Sequence, residues 1–518
     1  MHLSDGWLSV IAFALCCAVV VEVANKRLKN KKSSPYPLPP GPPALPIVGN
    51  IRGVNADAPW LTYMDWGKSY GDLIYARFFH QDIIIINSER VARDLLDDRS
   101  SNYSDRPFLI TNKLFGCDFN TIFMTYGDRW RRQRSFFHQS FKADAVSRFK
   151  PIQQEKAHQL LCNLLASPDL CRDHLFYYTS SIILKAVYDY DATHRNDELV
   201  VKIEKAVNIM VNALQPEAAA MLTAFPKLVH FPLWLPSFTI KRNAAITRKL
   251  LVESTEVPFK HAIRRLGESS TSPTMVFDGL RKAKGKDVEW VQALKDASAS
   301  GFLAASETSY SVLTSFMLAM VLFPEVQTKA QAEIDSVCGK GRLPTLEDRP
   351  SLTYIDAIMR ETLRWAPVAP LSIPHKMVDD DVYNGYYIPK GATVMPNIWA
   401  MSRNEEKYPK ASEFTPERFL DSDGQLTDDN VVNIAFGYGR RICVGRYFAE
   451  NSMWFAMSMI LAVFKLSAPK GEDGHEVPIE PKWTNGVTRH PQPFPINIVP
   501  RIHDLDVEKL DEMFGTST

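Results

Sequence analysis

One cysteine stands among residues that could make it a metal ligand. Cys443 lies in residues 436–445 (FGYGRRICVG), directly before a helical pattern that begins at Arg446. Glycine lets a backbone approach a flat ligand closely, and a position before a helix places the thiol near backbone N–H groups that favour the thiolate. A thiolate is a soft, strong donor to iron. The alternative is an inert, buried cysteine beside a glycine turn, and the residues of the pattern Phe-x-x-Gly-x-Arg-x-Cys-x-Gly leave both open by themselves.

Two further sets of residues could carry chemistry or support it. Glu361 and Arg364 are three residues apart, so on a helix they share a face and can pair; alone, such a pair is more simply a solvated surface contact. Glu307 and Thr308 interrupt an apolar helical pattern over residues 291–322. An acid and a hydroxyl are costly to bury in such a helix. Either the threonine bonds back to its own helix, or the pair moves protons.

The elements that must position these residues are mostly helical. Residues 324–334 begin with proline, continue with an acid and place apolar residues at helical spacing, which predicts a helix, and another helix is predicted over 446–466. Residues 73–87 (LIYARFFHQDIIIIN) predict strand, turn and strand, and strand character returns over 379–394. No internal repeat is present. We therefore predict one large, mainly α domain with a small β portion over residues 47–518.

Length, composition and charge are those of a large globular chain. The 518 residues would permit up to about three domains, and 45% hydrophobic with 23% charged residues is ordinary globular composition. A formal net charge of +1 provides no field that recruits nucleic acid, so we expect no nucleic-acid partner. The seven cysteines are odd in number and scattered, which argues against a secreted disulfide framework and for reduced thiols.

The amino terminus is predicted to anchor the chain in a membrane. Residues 6–21 carry no charge, and five basic residues follow between 26 and 32. The run is short for a span of about 17–25 residues, but basic charge on its carboxyl side marks a cytosolic flank. A cleavable signal peptide, the alternative, expects basic charge before the run. We predict an uncleaved transmembrane anchor over residues 1–25 and a basic stop with a proline-rich hinge over 26–46. The thinner endoplasmic reticulum membrane suits this short span, with the catalytic domain facing the cytosol.

Together, the cysteine loop, the Glu361-x-x-Arg364 pattern and the later stretch 414–419 (FTPERF) resemble the cytochrome P450 family of haem-thiolate monooxygenases. The resemblance extends from the anchor and the hinge to about residue 500. The anchor is typical of the eukaryotic microsomal type. The general pattern is similar to fungal members that serve specialised metabolism.

The resemblance implies a haem b cofactor and roles for the residues around it. Cys443 would be the axial thiolate ligand of the iron. Thr308 would hold dioxygen and a water, and Glu307 would help to feed protons from solvent. A glycine that helps this helix to kink open for oxygen often stands in the family where this chain has Ala305. The kink and the efficiency of proton delivery are therefore left open by the resemblance.

Further side chains would hold the haem propionates or stabilise the fold behind the haem. The residues that match family positions for the propionates are Trp130, Arg134, His375 and Arg441. The residues that would form a buried charge network for haem retention are Glu361, Arg364 and Arg418. Each one alone could be an ordinary solvated or loop residue, whereas their joint presence favours the resemblance.

A separate protein is expected to supply electrons. No flavin- or nicotinamide-binding segment is recognisable in the sequence, so the resemblance implies NADPH as the electron source through a reductase. A basic patch, defined here as Arg131, Arg132, Lys142, Arg440 and Arg446, would dock an acidic reductase. The alternative is a solvated surface without a partner.

The substrate pocket is placed by the resemblance at residues 104–125, 213–238 and 368–373, which are rich in apolar and aromatic side chains. They predict a lipophilic substrate that arrives from the bilayer. A terpenoid is the first expectation, followed by a polyketide, a sterol or an alkaloid. The alternatives are a haem-thiolate isomerase or dehydratase that needs no external electrons, a sterol or xenobiotic hydroxylase, and a haem-carrying membrane protein without catalysis.

Overall fold

The computed structural model describes residues 34–193, 196–213, 222–223, 225–226, 239–268, 270–283, 288–339, 341–429 and 431–515. The predicted anchor, the basic stop and most of the predicted pocket segment 213–238 lie outside these ranges. Within them, no single helix combines the length and apolar character that crossing a membrane requires. Val288–Leu322 and Pro324–Cys338 meet those criteria only as a pair bent by 104°.

Helices form most of the described chain. In chain order they are α1 Pro59–Tyr70, α2 Glu89–Ala92, α3 Ser100–Tyr103, α4 Ile110–Phe115, α5 Asp128–Phe141, α6 Lys150–Ala166, α7 Cys171–Tyr188, α8 Glu198–Ala213, α9 Thr239–Gly267, α10 Met275–Arg281, α11 Val288–Leu322, α12 Pro324–Cys338, α13 Thr353–Trp365, α14 Ile398–Ser402, α15 Val431–Phe436, α16 Arg446–Val463 and α17 Val507–Phe514.

The strands of the described residues form three small sheets. In chain order they are β1 Leu73–Phe78, β2 Gln81–Ile86, β3 His375–Lys376, β4 Asp381–Tyr383, β5 Tyr386–Ile388, β6 Thr393–Pro396, β7 Phe464–Ser467 and β8 Asn497–Pro500. The largest sheet has the order β1-β2-β6-β3, and β2 is parallel to β6 while the other neighbours are antiparallel. The four consecutive isoleucines of β2 are all buried, as expected for a strand covered on both faces.

The predicted elements are present, with one correction in extent. The strand–turn–strand prediction is confirmed by β1 and β2, and the predicted helices at 291–322 and 324–334 lie within α11 and α12. The helix predicted over 446–466 is too long, because α16 ends at Val463 and the next residues form β7. β7 pairs with β8, a partner distant in sequence. Local periodicity cannot reveal such a partner, although its hydrogen bonds decide the boundary.

The described part of the proline-rich hinge lies on the sheets. Tyr75 donates its backbone N–H to the Pro40 carbonyl at 3.0 Å, and Tyr387 donates to the Pro37 carbonyl at 2.7 Å. A Cβ on Gly41 would lie 1.9 Å from the Tyr75 carbonyl oxygen, so no side chain fits there. Prolines accept hydrogen bonds but cannot donate them, and β1 and β5 supply the donors that fix this segment.

The central helix of the main core is α11. It packs on α7, α5 and α16, and its Phe302 and Phe316 are fully buried. Hydroxyl side chains along it donate to the carbonyl four residues earlier, as at Ser298, Ser306 and Thr314. This back-bonding satisfies polar groups within an apolar helix, so α11 can carry hydroxyls through the core.

Candidate active site

The cysteine loop is held in one conformation by two glycines and by the chain packed behind it. Gly437 and Gly439 have φ angles of +81° and +56°. A Cβ on Gly439 would lie 2.0 Å from the Leu96 carbonyl oxygen, so only glycine fits there. The Cys443 N–H donates to the Phe436 carbonyl at 2.9 Å. This bond closes the loop between α15 and α16.

Burial, rather than the adjacent helix, dominates the protonation of Cys443 in the polypeptide. Burial raises the pKa of the Cys443 thiol, and the Gly445 N–H and the Arg134 and Arg446 charges lower that pKa by less. The N–H group before the helix does lower the pKa of the thiol, in the predicted direction, but burial outweighs it in the polypeptide by itself. A coordinated metal cation deprotonates a cysteine, so the thiolate belongs to the metal-bound form.

Three guanidinium groups and one imidazole gather beside the cysteine loop. They belong to Arg106, Arg134, Arg441 and His375. Burial lowers the pKa of Arg134 and that of Arg441 to about 10. Burial and the neighbouring arginine charges also lower the pKa values of Arg106 and His375 well below their ordinary ranges. Asp105 offsets part of the positive charge.

Arg106, Arg134, Arg441 and His375 are called here the cation cluster. The hydrogen bonds of its three arginines end on backbone carbonyls. Arg106 donates to the carbonyls of residues 122, 373 and 374 at 3.0, 2.6 and 2.8 Å. Arg441 donates to those of residues 104, 121 and 124 at 2.7, 3.4 and 2.8 Å. Arg134 donates to the Ile442 carbonyl at 2.6 Å, one residue before the cysteine. Carbonyls orient a guanidinium without neutralising it, so the cluster keeps positive charge that can receive an anion.

Trp130 packs against two members of the cluster. Its ring centroid lies 4.4 Å from the Arg441 guanidinium carbon and 5.8 Å from that of Arg134, within cation–π range. The Tyr126 ring lies beside it at 4.9 Å. The two residues of the Trp-x-x-x-Arg pattern on α5 are thus joined to the cysteine loop through Arg441 and Ile442.

This donor set fits a haem. A group bound here must offer a metal to a cysteine and negative charge to the buried cations, and a haem carries an iron and two carboxylates. Cys443 would hold the iron. Arg106, Arg134, Arg441 and His375 would receive the propionates.

Arg106 is the member of the cluster that sequence reasoning missed. It lies in the predicted pocket segment 104–125 and is 6% exposed. Its carbonyl acceptors belong to the loop at 122 and to residues 373–374, so the fold alone brings them together. The available signal was chemical, because two buried carboxylates need several cations.

The long helix α11 is continuous through the predicted oxygen-activating stretch. The helix is therefore unbroken at Ala305, the position where the family often has a glycine. The Thr308 hydroxyl donates to the Ala304 carbonyl at 2.8 Å, which is the back-bonding alternative. Thr308 is exposed whereas Glu307 is buried, so the two neighbours occupy different sides of α11.

Glu307 lies among polar groups from three other elements. His490 Nε2 is 3.6 Å from Glu307 Oε1, and Glu204 of α8 and Arg172 of α7 act on the carboxyl group through their charges. Burial and the Glu204 charge raise the pKa of Glu307 to about 7, although Arg172 opposes them. An acid with a pKa near neutrality can both hold and release a proton. Sequence reasoning missed His490, Glu204 and Arg172, which lie far from Glu307 along the chain.

Glu361, Arg364 and Arg418 form one network behind the cysteine loop. Arg364 donates to both carboxylate oxygens of Glu361 at 2.6 and 2.7 Å, and Arg418 donates to one of them at 3.2 Å. The Glu361 and Arg364 side chains have 0% exposure. Arg364 also donates to three backbone carbonyls, at residues 402, 411 and 413. The network joins α13 to the chain that leads into the cysteine loop.

Two of the predicted pocket segments meet within the described residues. Arg106 of the segment 104–125 donates to the Ile373 carbonyl of the segment 368–373. The loop that follows Trp483 adds a third side, since the Arg489 N–H donates to the Val368 carbonyl at 2.7 Å. This third side was not predicted from the sequence.

The predicted basic patch is partly paired within the chain. Arg131, Arg132 and Lys142 form ion pairs with nearby acids, and Arg440 and Arg446 donate to tyrosine hydroxyls at 2.9 and 2.7 Å. A cavity of about 340 Å³ opens on this face. Its lining includes Arg134, His138, Lys142, Cys443 and Arg446.

Comparison with known proteins shows one family over most of the chain. A model of the cytochrome P450 family matches residues 39–498. The cytochrome P450 monooxygenase claR of Ampulloclitocybe clavipes is 37% identical over 481 residues, which is 92% of this chain and 89% of that protein. The cytochrome P450 monooxygenase ple1 of Rhodocybe pseudopiperita is 36% identical over 92% of this chain and 91% of its own. A third, cytochrome P450 monooxygenase 136 of Postia placenta, is 35% identical over 95% and 93%. With the cysteine loop and the cation cluster described above, these similarities establish that the chain belongs to the cytochrome P450 family of haem-thiolate monooxygenases.

Proposed function

We propose that this monooxygenase hydroxylates a lipophilic small molecule, with a terpenoid as the first candidate, using NADPH-derived electrons delivered by a separate reductase. The observation that carries the catalytic part is the buried cation cluster joined to Cys443 through the Arg134–Ile442 hydrogen bond. In the net reaction a substrate C–H bond, dioxygen, two electrons and two protons give a C–OH bond and water. The bound haem would supply the redox-active iron that activates dioxygen.

The residues of this chain have separate tasks in that reaction. Cys443 holds the iron through its sulfur, and the cation cluster fixes the orientation of the cofactor through its carboxylates. Glu307 holds a proton at its carboxyl group near neutral pH, since its pKa is raised to about 7. Thr308 offers a hydroxyl that can pass a proton once it leaves the Ala304 carbonyl. The network around Glu361 keeps the cysteine loop in place.

The lipophilic substrate is supported by the apolar surface near the predicted pocket segments. Phe108 of the segment 104–125 is 62% exposed. Phe225, a described residue of the segment 213–238, packs edge-to-face on Phe79 at the turn between β1 and β2, with ring centroids 5.3 Å apart. The exposed Phe108 and the half-buried Phe79–Phe225 pair suit contact with a lipid phase or an apolar ligand.

A spectral titration of the purified protein tests the substrate class. Terpenes, sterols, polyketides, indoles and charged, hydrophilic compounds are added in turn while the Soret band is followed. A low-spin to high-spin shift with terpenes alone supports the proposal. A shift confined to charged, hydrophilic compounds would contradict it. Turnover that proceeds without oxygen and NADPH would instead favour the isomerase or dehydratase alternative.

We also propose that the amino terminus anchors the protein in the endoplasmic reticulum membrane and that the basic patch docks the reductase. Removing residues 1–33 should move the protein from the microsomal to the soluble fraction. The Arg440→Glu variant should raise the KM for reductase, more so at low salt. Lys465→Glu, at an exposed position on β7, is the matched control and should leave that KM unchanged.

A further inference from the structure

We propose that His490 is a positioning residue that passes protons from solvent to Glu307. This inference rests on the proposed role of Glu307 and Thr308 in proton delivery. It adds a residue from the loop before β8 beside the Glu307 carboxyl group, which is buried beside α7 and α8.

The hydrogen bonds of the His490 ring fix its tautomer. Nδ1 lies 3.0 Å from the Pro491 carbonyl oxygen. A carbonyl only accepts, so Nδ1 carries the hydrogen and Nε2 of the neutral ring keeps a lone pair. Nε2 is the atom that lies 3.6 Å from Glu307 Oε1. The acceptor of the imidazole therefore faces the carboxyl group.

The Nε2–Oε1 distance is slightly longer than a hydrogen bond. A small rotation of either side chain, or one bridging water, completes the connection. Catalytic contacts are often looser before the ligand is bound. The geometry thus suits a link that closes during turnover.

The backbone and neighbouring groups hold the imidazole in this place. The His490 N–H donates to the Thr484 hydroxyl at 3.1 Å, and the Tyr310 ring lies edge-on to the imidazole with centroids 5.4 Å apart. Arg172 donates to the same Pro491 carbonyl at 3.1 Å. His490 is therefore oriented by both its own loop and α7.

Exposure increases from the acid outward. The side chain of Glu307 is 10% exposed and that of His490 is 17% exposed, while Glu204 on α8 is exposed and Arg172 on α7 is half-buried. The charged and titratable groups that face this pair are Glu204, Arg172, Tyr310 and, through Glu204, Asp173. They surround the pair with polar side chains, and the solvent route of this proposal runs past them to Nε2.

The order of the two proton affinities favours transfer from a protonated His490 to the Glu307 carboxylate. The pKa of Glu307 is raised to about 7, whereas burial and the Arg172 charge lower the pKa of His490 below 6.5. At neutral pH the ring is therefore mostly neutral. A hydronium ion from solvent gives a proton to Nε2 and becomes water, the same N–H gives that proton to the Glu307 carboxylate, and the neutral ring is restored. Each such cycle replaces the proton that Glu307 has released.

Two substitutions separate this role from a structural one. His490→Asn places an amide N–H close to the position of Nδ1 and can keep the bond to the Pro491 carbonyl, whereas His490→Gln places a polar atom close to the position of Nε2. Neither side chain titrates. His475→Asn, at an exposed loop histidine, is the matched control, and Glu307→Gln tests the underlying role of the acid. Haem content and thiolate absorption establish that each variant is folded.

The measurements are product formed per NADPH consumed as a function of pH, the solvent deuterium isotope effect, and the titration of the Glu307 carboxyl band by infrared difference spectroscopy. Both His490 variants should lose about tenfold in coupled turnover. Loss of an acid–base group typically costs about a hundredfold or more, and we expect a smaller loss here because a water can partly replace the imidazole. Both should also show an increased isotope effect and a shifted Glu307 titration. The infrared readout does not depend on activity.

The possible failures are distinguishable. If Glu307→Gln keeps full coupling, the proposed role of the acid is wrong. If Glu307→Gln loses coupling while both His490 variants match the control, only the relay through His490 is overturned. If His490→Asn behaves as wild type while His490→Gln does not, the bond to Pro491 is what matters, and the relay is again refuted.

Discussion

Replacing Glu361 by glutamine is expected to destabilise the folded protein strongly, because it leaves a buried guanidinium without its counter-charge. Glu361 and Arg364 both have 0% side-chain exposure. One carboxylate oxygen accepts from Arg364, from Arg418 and from the Thr415 N–H, and the other accepts from Arg364. An amide offers only one acceptor oxygen, and its NH₂ group would face a donor.

The magnitude follows from this burial. Removing one partner of a buried ion pair costs about 3–5 kcal/mol, since the remaining charge stays desolvated. The three carbonyls that Arg364 also contacts hold the guanidinium in place, so it cannot easily turn to solvent. We expect the upper half of that range, about 4–5 kcal/mol.

The assay is equilibrium denaturant unfolding followed by far-ultraviolet circular dichroism and by haem absorption. The matched control is Glu347→Gln, which breaks an ion pair with Lys150 whose side chains are 41% and 72% exposed. Such a pair contributes about 0–1 kcal/mol. The Glu361 variant should also lose haem at lower denaturant. An unfolding free energy for Glu361→Gln within 1 kcal/mol of the control's would refute the argument from burial.

Four other substitutions, one of them a control, test the site. Gly439→Ala should abolish the thiolate-haem spectrum of the expressed protein, because its Cβ would lie 2.0 Å from the Leu96 carbonyl oxygen. Gly437→Ala is the control, since its Cβ would meet open space and only the backbone strain of a positive φ should lower the stability. Arg106→Gln should make haem transfer to apomyoglobin roughly tenfold faster, because the variant loses a charged hydrogen bond. An unchanged rate would show that Arg106 does not hold a propionate. Glu307 has a pKa of about 7 when folded against 4.5 as its ordinary value, so the folded chain binds more protons between these pH values and this group's contribution to stability falls as pH rises through them. Glu307→Gln should therefore gain roughly 3 kcal/mol over wild type between pH 4 and pH 8 in denaturant unfolding, and equal pH dependence of the two proteins would contradict the shift.

The sequence was most informative where one short segment contains a whole functional unit. In the cysteine loop at 436–445 and in the Glu361-x-x-Arg364 helix turn, the functional residues are close in sequence. A loop or a helix face therefore brings them together locally, where a short pattern can reveal them. Arg106 could not be found in this way. Its acceptors come from residues 122, 373 and 374, and no local pattern encodes an interaction across such distances. The end of α16 was misplaced for the same reason, since β8 decides it.

The acid–alcohol pair shows why a motif identifies residues more readily than it explains their cooperation. Glu307 and Thr308 are adjacent, yet neighbours on a helix point about 100° apart, and here one is buried while the other is exposed. A proton cannot pass directly between side chains that face different sides of α11, so a water or a movement of Thr308 must connect them. Because α11 is continuous and Thr308 bonds to Ala304, that connection has to compete with a bond already made. In the relay that we propose, the supply on the other side comes from a loop more than 180 residues further along the chain, where His490 meets the acid. Proton delivery would then depend on how α7, α8, α11 and the loop before β8 pack together, and the motif would supply only its middle step.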